Sequence, residues 1–276
     1  MRMPELRAGA NLDIIPVGRL TTTPYCWAGC AFCRLARPLP KVRMTDAPAG
    51  LTLAHLAARG VNLDQTAQIR LRGGLSLREP FDYWIHFLRH LRAQYQGRLI
   101  AFSPVEIWQF HVLERRSLRD LLHLLKWAGV DLLGPGGSET WTPELRARWT
   151  PHRLEPNEWL SVAEAALQVG LGFSMAPIIG AHMGETEWNE YVAVILQHDP
   201  QELEVKPLNS EGTRWAAHDS ASILETVAAI QRLREATPSL PLYVCWDEQP
   251  LDDAAAIFAA AGADGLLTSV WEVTPA

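Results

Sequence analysis

Short apolar runs alternate along the chain with longer stretches in which apolar residues recur every three or four positions. The short runs predict buried strands, and the period of three to four predicts amphipathic helices. We predict eight strands, over residues 20–25, 67–72, 99–103, 130–133, 172–178, 202–207, 241–246 and 265–270. Strands that alternate regularly with helices are typical of a parallel sheet covered by those helices.

The stretch after the second predicted strand shows the helical period clearly. One apolar stripe is formed there by Phe81, Trp84, Ile85, Leu88 and Leu91. Eight strand-and-helix units fit a single-domain α/β fold of the (β/α)8 type, which we predict over residues 1–276 with a short lead-in at 1–19. A doubly wound open sheet is the alternative that the same pattern allows.

Composition limits the possible functions. The 276 residues carry a formal net charge of −6, with a pI of about 5.9, so nucleic acid is not a favoured partner. No apolar run reaches the roughly 18 to 20 residues of a membrane helix. Residues 1–10 lack the apolar segment of a signal peptide. We therefore expect a cytoplasmic protein that contacts neither nucleic acid nor membrane.

The cysteines carry the strongest chemical signal. Cys26, Cys30 and Cys33 follow the first predicted strand with the spacing C-x3-C-x2-C, and barrel enzymes hold their chemistry at the C-terminal ends of the strands. Three thiolates can bind three irons of a 4Fe–4S cubane and leave one iron open, whereas electron-transfer clusters usually have four cysteine ligands. Tetrahedral zinc is an alternative that would need a fourth ligand. Cys245 lies alone in an apolar segment, where a buried structural thiol is expected.

This spacing on the loop after a first barrel strand resembles the radical S-adenosylmethionine (SAM) superfamily. Further blocks match one group within it: FCRLAR at 32–37, GGL at 73–75, PFDYW at 80–84, AFSPVEI at 101–107 and PGGSE at 135–139. These blocks resemble the family that includes aminofutalosine synthase and dehypoxanthinyl futalosine cyclase of menaquinone biosynthesis, together with the deazaflavin-cofactor synthases. The resemblance implies the same fold as the strand pattern does.

The resemblance also implies two cofactors and several contacts. The open iron of the 4Fe–4S cluster would bind SAM, and an electron from the cluster would then release a 5′-deoxyadenosyl radical. Phe32 would present its backbone to the adenine while its ring packs. The backbone carbonyls of Gly73 and Gly74 would approach the amino group, and Glu139 would accept hydrogen bonds from the ribose hydroxyls. A simple tight turn at the glycines and a solvated charge at Glu139 are the alternative interpretations.

Two arginines of the second predicted strand are candidates for binding the substrate. Arg70 and Arg72 share one face of the strand, while Ile69 and Leu71 share the face toward the helices. Inside a barrel, an arginine charge must be paired. An anionic substrate would provide one partner, since guanidinium binds carboxylates bidentately. An internal partner such as Glu204 is the alternative.

Two further residues are candidates for the reaction itself. His182 could donate to a substrate carbonyl or move a proton, although a solvated loop histidine is the ordinary interpretation. The segment GAHMGET at 180–186 departs from the family's Gly-His and Glu-Thr pattern by inserted residues. Glu106 ends a well-matched block and could position the substrate, or it could form a salt bridge at the barrel rim.

Together these features predict a radical SAM enzyme that transfers the 5′-deoxyadenosyl group. Chemistry like that of aminofutalosine synthase is favoured, in which the radical adds to the enol-ether double bond of a carboxyvinyl-oxybenzoate, because paired arginines would suit a dicarboxylate. A flavodoxin-type or ferredoxin-type electron donor is implied as partner. The cyclase reaction, which starts from hydrogen abstraction, is the close alternative. A non-catalytic iron–sulfur sensor or electron carrier is the alternative from another class.

Overall fold

A computed structural model describes residues 12–37, 51–76, 78–180 and 183–275. Eight parallel strands close into a ring, because β5 pairs with β7 while β9 pairs with β1. The strands are β1 (Asp13–Thr21), β2 (Gln68–Arg72), β3 (Arg98–Ala101), β4 (Leu132–Leu133), β5 (Gly172–Met175), β6 (Ile178–Ile179), β7 (Glu202–Pro207), β8 (Leu242–Cys245) and β9 (Gly265–Val273). Only β6 lies outside the ring, paired with β7. The closed barrel is confirmed, and the open sheet is excluded.

Helices follow the strands as the sequence period predicts. Within the described ranges they are α1 (Leu53–Ala58), α2 (Phe81–Gln94), α3 (Pro104–Glu114), α4 (Leu118–Trp127), α5 (Pro143–Trp149), α6 (Pro156–Gln168), α7 (Glu185–His198), α8 (Ile223–Ala236) and α9 (Leu251–Ala261). In this part of the chain, no helix is both long and apolar enough to cross a membrane.

The main core lies between the outer face of the barrel and the helices. Ile69 and Leu71 of β2 are almost fully buried there, in one cluster with Trp84 and Leu88 of α2. Their burial removes apolar surface from water, which stabilises the fold by roughly 25 cal/mol per Å² of that surface. Arg70, between them in the sequence, points to the opposite side, into the barrel, as the strand alternation predicts.

The first strand is longer toward the N-terminus than predicted, and it ends earlier. Residues 13–19 were expected to be a lead-in, because Pro16 and Gly18 weaken a strand pattern. Pairing with β9 overrides this weakness over Asp13–Leu20, with a register shift between Val17 and Gly18. The Pro16 carbonyl still accepts a hydrogen bond from the Ala67 N–H at 2.9 Å. The predicted strand at 172–178 is also divided, into β5 and β6.

Candidate active site

The three motif cysteines lie on one loop at the C-terminal mouth of the barrel, directly after β1. Cys30 is buried, and Cys26 and Cys33 are half-buried. The loop folds back on itself, since the Cys26 N–H donates to the Arg37 carbonyl at 3.0 Å and the Cys33 N–H donates to the Cys30 carbonyl at 3.2 Å. Gly29 has a φ of +65°, a conformation that favours glycine. The spacing of the motif therefore corresponds to a compact loop that holds all three thiols.

Neighbouring segments hold this loop from several sides. Arg214 donates through Nη2 to the Gly29 carbonyl at 2.6 Å, and Arg34 donates through Nε to the Glu211 carbonyl at 2.9 Å. The indole Nε1 of Trp27 donates to the Leu75 carbonyl at 3.1 Å. The loops after β2 and β7 thus fix the position of the loop after β1.

A buried ion pair stands beside the thiols. Arg153 donates through Nη1 to Glu139 Oε2 at 2.5 Å, and its guanidinium lies 5.7 Å from the ring centre of Phe32. Burial raises the pKa of Cys30 to about 11, and the positive charge of Arg153 opposes that rise. Burial likewise raises the pKa of Cys33. Any metal that binds these thiols must therefore displace protons.

The donor set fits a three-thiolate cluster. The remaining cysteine, Cys245, was expected to be a buried structural thiol, but it is half-buried and donates to Glu204 Oε2 at 3.6 Å. Among the described residues, no three His, Cys, Asp or Glu side chains are grouped as around a single metal ion. Three cysteines can each bind a different iron of a cubane, so they need not converge on one point.

Glu139 is buried rather than solvated, with 8% of its surface exposed. Both of its oxygens accept from the Gly137 N–H, at 3.2 and 3.1 Å, and Oε2 also accepts from Arg153. Burial alone would raise the pKa of Glu139, but Arg153 and the N–H donors outweigh it and hold that pKa below its usual range. The carboxylate is therefore charged at neutral pH and fixed in orientation.

The glycine pair after β2 packs directly against the cysteine loop. A Cβ on Gly73 would lie 2.0 Å from Thr22 Oγ1, and a Cβ on Gly74 would lie 1.9 Å from the Tyr25 carbonyl oxygen. Neither glycine has a positive φ. Close approach of two loops, rather than a tight turn, is what requires glycine here.

Glu106 lies in the first turn of α3 and is 3% exposed. Its Oε2 accepts from the Ser103 N–H and hydroxyl, both at 2.8 Å, and its Oε1 accepts from the Gly73 N–H at 3.0 Å. Burial raises the pKa of Glu106 to about 7, against these hydrogen bonds, which favour the carboxylate. It forms no salt bridge with any other described residue, so the rim ion pair considered from the sequence is absent there. Its role as a catalytic residue stays a prediction.

The two arginines of β2 have different environments. Arg70 donates through Nη1 to Glu204 Oε2 at 2.6 Å, which is the internal pairing considered from the sequence. Arg72 is exposed in the mouth, and its carbonyl accepts from the Thr22 N–H at 2.8 Å, but its guanidinium forms no hydrogen bond or ion pair with any residue that the structure describes. The surrounding protein and the charge of Arg19 lower the pKa of Arg72, although a guanidinium stays protonated in proteins.

Arg153 is a residue of this site that was not predicted from the sequence. No motif or period marks Arg153, which reaches Glu139 from 14 positions away. Its only signal was its place in a loop at the C-terminal face. His182 lies outside the described residues, so its role stays a prediction.

No protein-family profile matches the chain, but several curated proteins do. A 5-amino-6-(D-ribitylamino)uracil–L-tyrosine 4-hydroxyphenyl transferase of Methanopyrus kandleri is 24% identical over 188 residues, covering 67% of this chain and 50% of the relative. Aminodeoxyfutalosine synthase of Thermus thermophilus is 25% identical over 177 residues (64% and 47%). The same enzyme of Streptomyces coelicolor is 30% identical over 172 residues (60% and 44%). The chain spans about half the length of these relatives.

Solved structures share the barrel. Methylornithine synthase matches with a TM-score of 0.69 at 16% identity, covering 95% of this chain and 73% of that chain. The FeFe-hydrogenase maturase HydG from Carboxydothermus hydrogenoformans matches with a TM-score of 0.65 at 14% identity, covering 94% and 59%. These structural matches confirm the barrel fold, and the sequence relatives confirm the resemblance stated from the motifs. The relatives also include a cyclic dehypoxanthine futalosine synthase and FO synthases, so the chain is similar in sequence to the group of enzymes that its motif blocks resemble.

Proposed function

We propose that this chain is a radical SAM enzyme with one 4Fe–4S cluster on Cys26, Cys30 and Cys33. The observation that carries the proposal is the loop that gathers the three thiols at the mouth of a closed parallel barrel, beside the buried Glu139–Arg153 pair. When bound, the cluster and SAM supply a 5′-deoxyadenosyl radical. The mouth is where barrel enzymes hold their substrates.

The protein's own residues bind and orient in this proposal. Arg153 places a positive charge beside the thiolates and above Phe32, which favours an anionic cluster and the carboxylate of SAM. Gly73 and Gly74 leave their backbone free of side chains at the mouth, where it can meet the amino group. Glu139, which is charged and held in one orientation, would accept hydrogen bonds from the ribose hydroxyls.

The substrate in this proposal is a small carboxylate. Arg72 supports it, because this cation at the mouth has no partner among the described residues and can bind a carboxylate bidentately. The argument from an arginine pair does not hold, since Arg70 is neutralised by Glu204. Transfer of the 5′-deoxyadenosyl group, as in an aminofutalosine synthase of menaquinone biosynthesis, remains the favoured reaction because two relatives are named aminodeoxyfutalosine synthase. A flavodoxin-type or ferredoxin-type protein in the cytoplasm would deliver the electron.

The decisive experiment is anaerobic reconstitution with iron and sulfide, followed by reduction with dithionite in the presence of SAM. We expect 5′-deoxyadenosine and methionine to form, and Cys30→Ala to abolish both. Cys245→Ala is the matched control, because it removes a cysteine outside the motif, and it should retain cleavage. A cluster that never cleaves SAM would instead identify a sensor or an electron carrier, and bound zinc in place of iron would overturn the proposal.

A second assay separates the candidate reactions. A carboxyvinyl-oxybenzoate or dehypoxanthinyl futalosine is added to the reduced enzyme with SAM, and products are separated by chromatography. We expect an adduct of the 5′-deoxyadenosyl group with the carboxyvinyl-oxybenzoate. Turnover of the futalosine alone would assign the cyclase reaction, and turnover of neither would exclude both.

A further inference from the structure

Glu106 uses its two oxygens on two different parts of the fold. Oε2 accepts from Ser103 within the N-terminus of its own helix, α3. Oε1 accepts from the Gly73 N–H, 33 positions earlier in the chain. Capping of α3 needs only the first set of contacts. In the described part of the chain, the carboxylate of Glu158, the capping glutamate of α6, accepts a hydrogen bond from its own cap residue, Glu155, and from no other residue. The contact with Gly73 is therefore additional to helix capping.

The glycine segment that Glu106 holds lies directly against the first motif cysteine. The Gly74 N–H donates to the Thr23 carbonyl at 2.9 Å, and the Ser76 N–H donates to the Tyr25 carbonyl at 3.2 Å. A Cβ on Gly74 would lie 2.9 Å from the Cβ of Cys26, which leaves no space between the two loops. Any shift of Gly73 and Gly74 must therefore move the backbone that carries Cys26.

We propose that Glu106 is a positioning residue for Cys26, acting through the Gly73–Gly74 backbone and without contact with the cluster or substrate. This inference rests on the proposed function, because the cluster on Cys26 is part of that proposal. Glu106 is suited to this role, since it is almost fully buried and accepts three hydrogen bonds from two separate loops. A short buried carboxylate with both oxygens occupied has little freedom to move.

The test compares three variants of the full chain. Glu106→Ala removes both sets of contacts, and Ser103→Ala removes only the hydroxyl contact within the cap, so it controls for loss of helix stability. Glu106→Gln keeps the size and one acceptor oxygen. The first measurement is the rate at which an iron chelator removes iron from the anaerobically reconstituted protein. We expect about a tenfold faster release from Glu106→Ala and less than about a twofold change in Ser103→Ala.

The second measurement needs no cluster. The metal-free full chain is treated with iodoacetamide, and mass spectrometry follows the alkylation of Cys26 and of Cys33. The quantity compared is the alkylation rate of Cys26 divided by that of Cys33. We expect this ratio to rise about fivefold in Glu106→Ala, to stay near the wild-type value in Ser103→Ala, and to be largely restored in Glu106→Gln. Equal ratios in Glu106→Ala and Ser103→Ala would overturn the inference. Since alkylation requires no SAM cleavage, this result is separable from failure of the proposed function.

Discussion

Two regions inside the barrel differ in whether their charged side chains are paired. The interior ion network, formed by Arg70, Arg98, Glu202 and Glu204, matches each carboxylate with a guanidinium: Arg70 Nη1 is 2.6 Å from Glu204 Oε2, and Arg98 Nη1 is 2.5 Å from Glu202 Oε2. The mouth above it contains Arg72, for which the described part of the chain supplies no partner. One strand, β2, contributes a cation to each region.

The difference follows from access to water. Glu202 and Glu204 are 1% and 0% exposed. Because a buried charge without a partner costs several kcal/mol, these carboxylates are compatible with a stable fold only when they are paired. Arg72 is partly desolvated but exposed at the mouth, where Glu272 and Glu106 act on its charge without forming an ion pair, so its guanidinium is free to pair with an anionic ligand. Charge that is unmatched at a mouth therefore indicates a ligand, whereas charge that is matched in an interior indicates structure.

The largest effect on stability should come from breaking the interior ion network. Arg70→Met leaves Glu204 with Lys206, at 3.4 Å, as its one cationic partner among the described residues, and should lower the free energy of unfolding by about 3 kcal/mol. Denaturant unfolding of the two proteins measures the difference. In the control, Glu204→Leu combined with Arg70→Met should recover much of the loss. An unchanged unfolding midpoint in Arg70→Met would remove the distinction between the two regions.

Substitution of the mouth arginine, Arg72, should weaken substrate binding and leave stability almost unchanged. Arg72→Met should change the free energy of unfolding by less than about 0.5 kcal/mol, since Arg72 has no partner to lose. It should raise the KM for the carboxylate substrate by about 30-fold, corresponding to one lost charged hydrogen-bond pair of about 2 kcal/mol. The same substrate converted to its methyl ester should show no such difference. A large loss of stability with an unchanged KM would mark Arg72 as structural.

The interior ion network should also make stability depend on acid. Burial would raise the pKa of Glu204, but Arg70 and Lys206 lower it to about 2, compared with 4.5 for an ordinary glutamate. The stabilisation is therefore present above pH 4.5 and is lost as the pH falls toward 2. Between pH 5 and pH 3 the wild type should lose about 2 kcal/mol more than Glu204→Gln, measured as the slope of unfolding free energy against pH. Parallel slopes would contradict this assignment.

The smallest effect on the substrate KM is expected for a mouth cation that already has a partner. Arg19 forms an ion pair with Asp247 at 2.8 Å, and Asp247 is about half exposed. Arg19→Met should cost less than about 1 kcal/mol of stability, as exposed pairs do, and should change the substrate KM far less than Arg72→Met does. If Arg19→Met and Arg72→Met raised the KM equally, the absence of a protein partner would not be what selects the binding residue.

The sequence alone determined the order of strands and helices, the outward face of β2 and the thiol loop. Each of these depends on local information. Apolar residues recur every two positions in a strand and every three to four in a helix, and the cysteines are separated by three and two residues. Motif resemblance extended this to Gly73, Gly74 and Glu139, which the structure places around the same mouth. The start of β1 at Asp13 was missed, because pairing with β9 overrode the weak strand pattern around Pro16.

Only the tertiary structure decided which charges meet. Arg70 and Arg72 are equivalent in the sequence, two positions apart on one face, yet the partner of Arg70 lies 134 positions away on β7. Arg153 and Glu106 likewise gained their roles from contacts with Glu139 and Gly73 across different loops. Closure of the barrel sets these distances, since it brings distant strand ends to one mouth, and spacing along the chain predicts the barrel but not which side chains meet there.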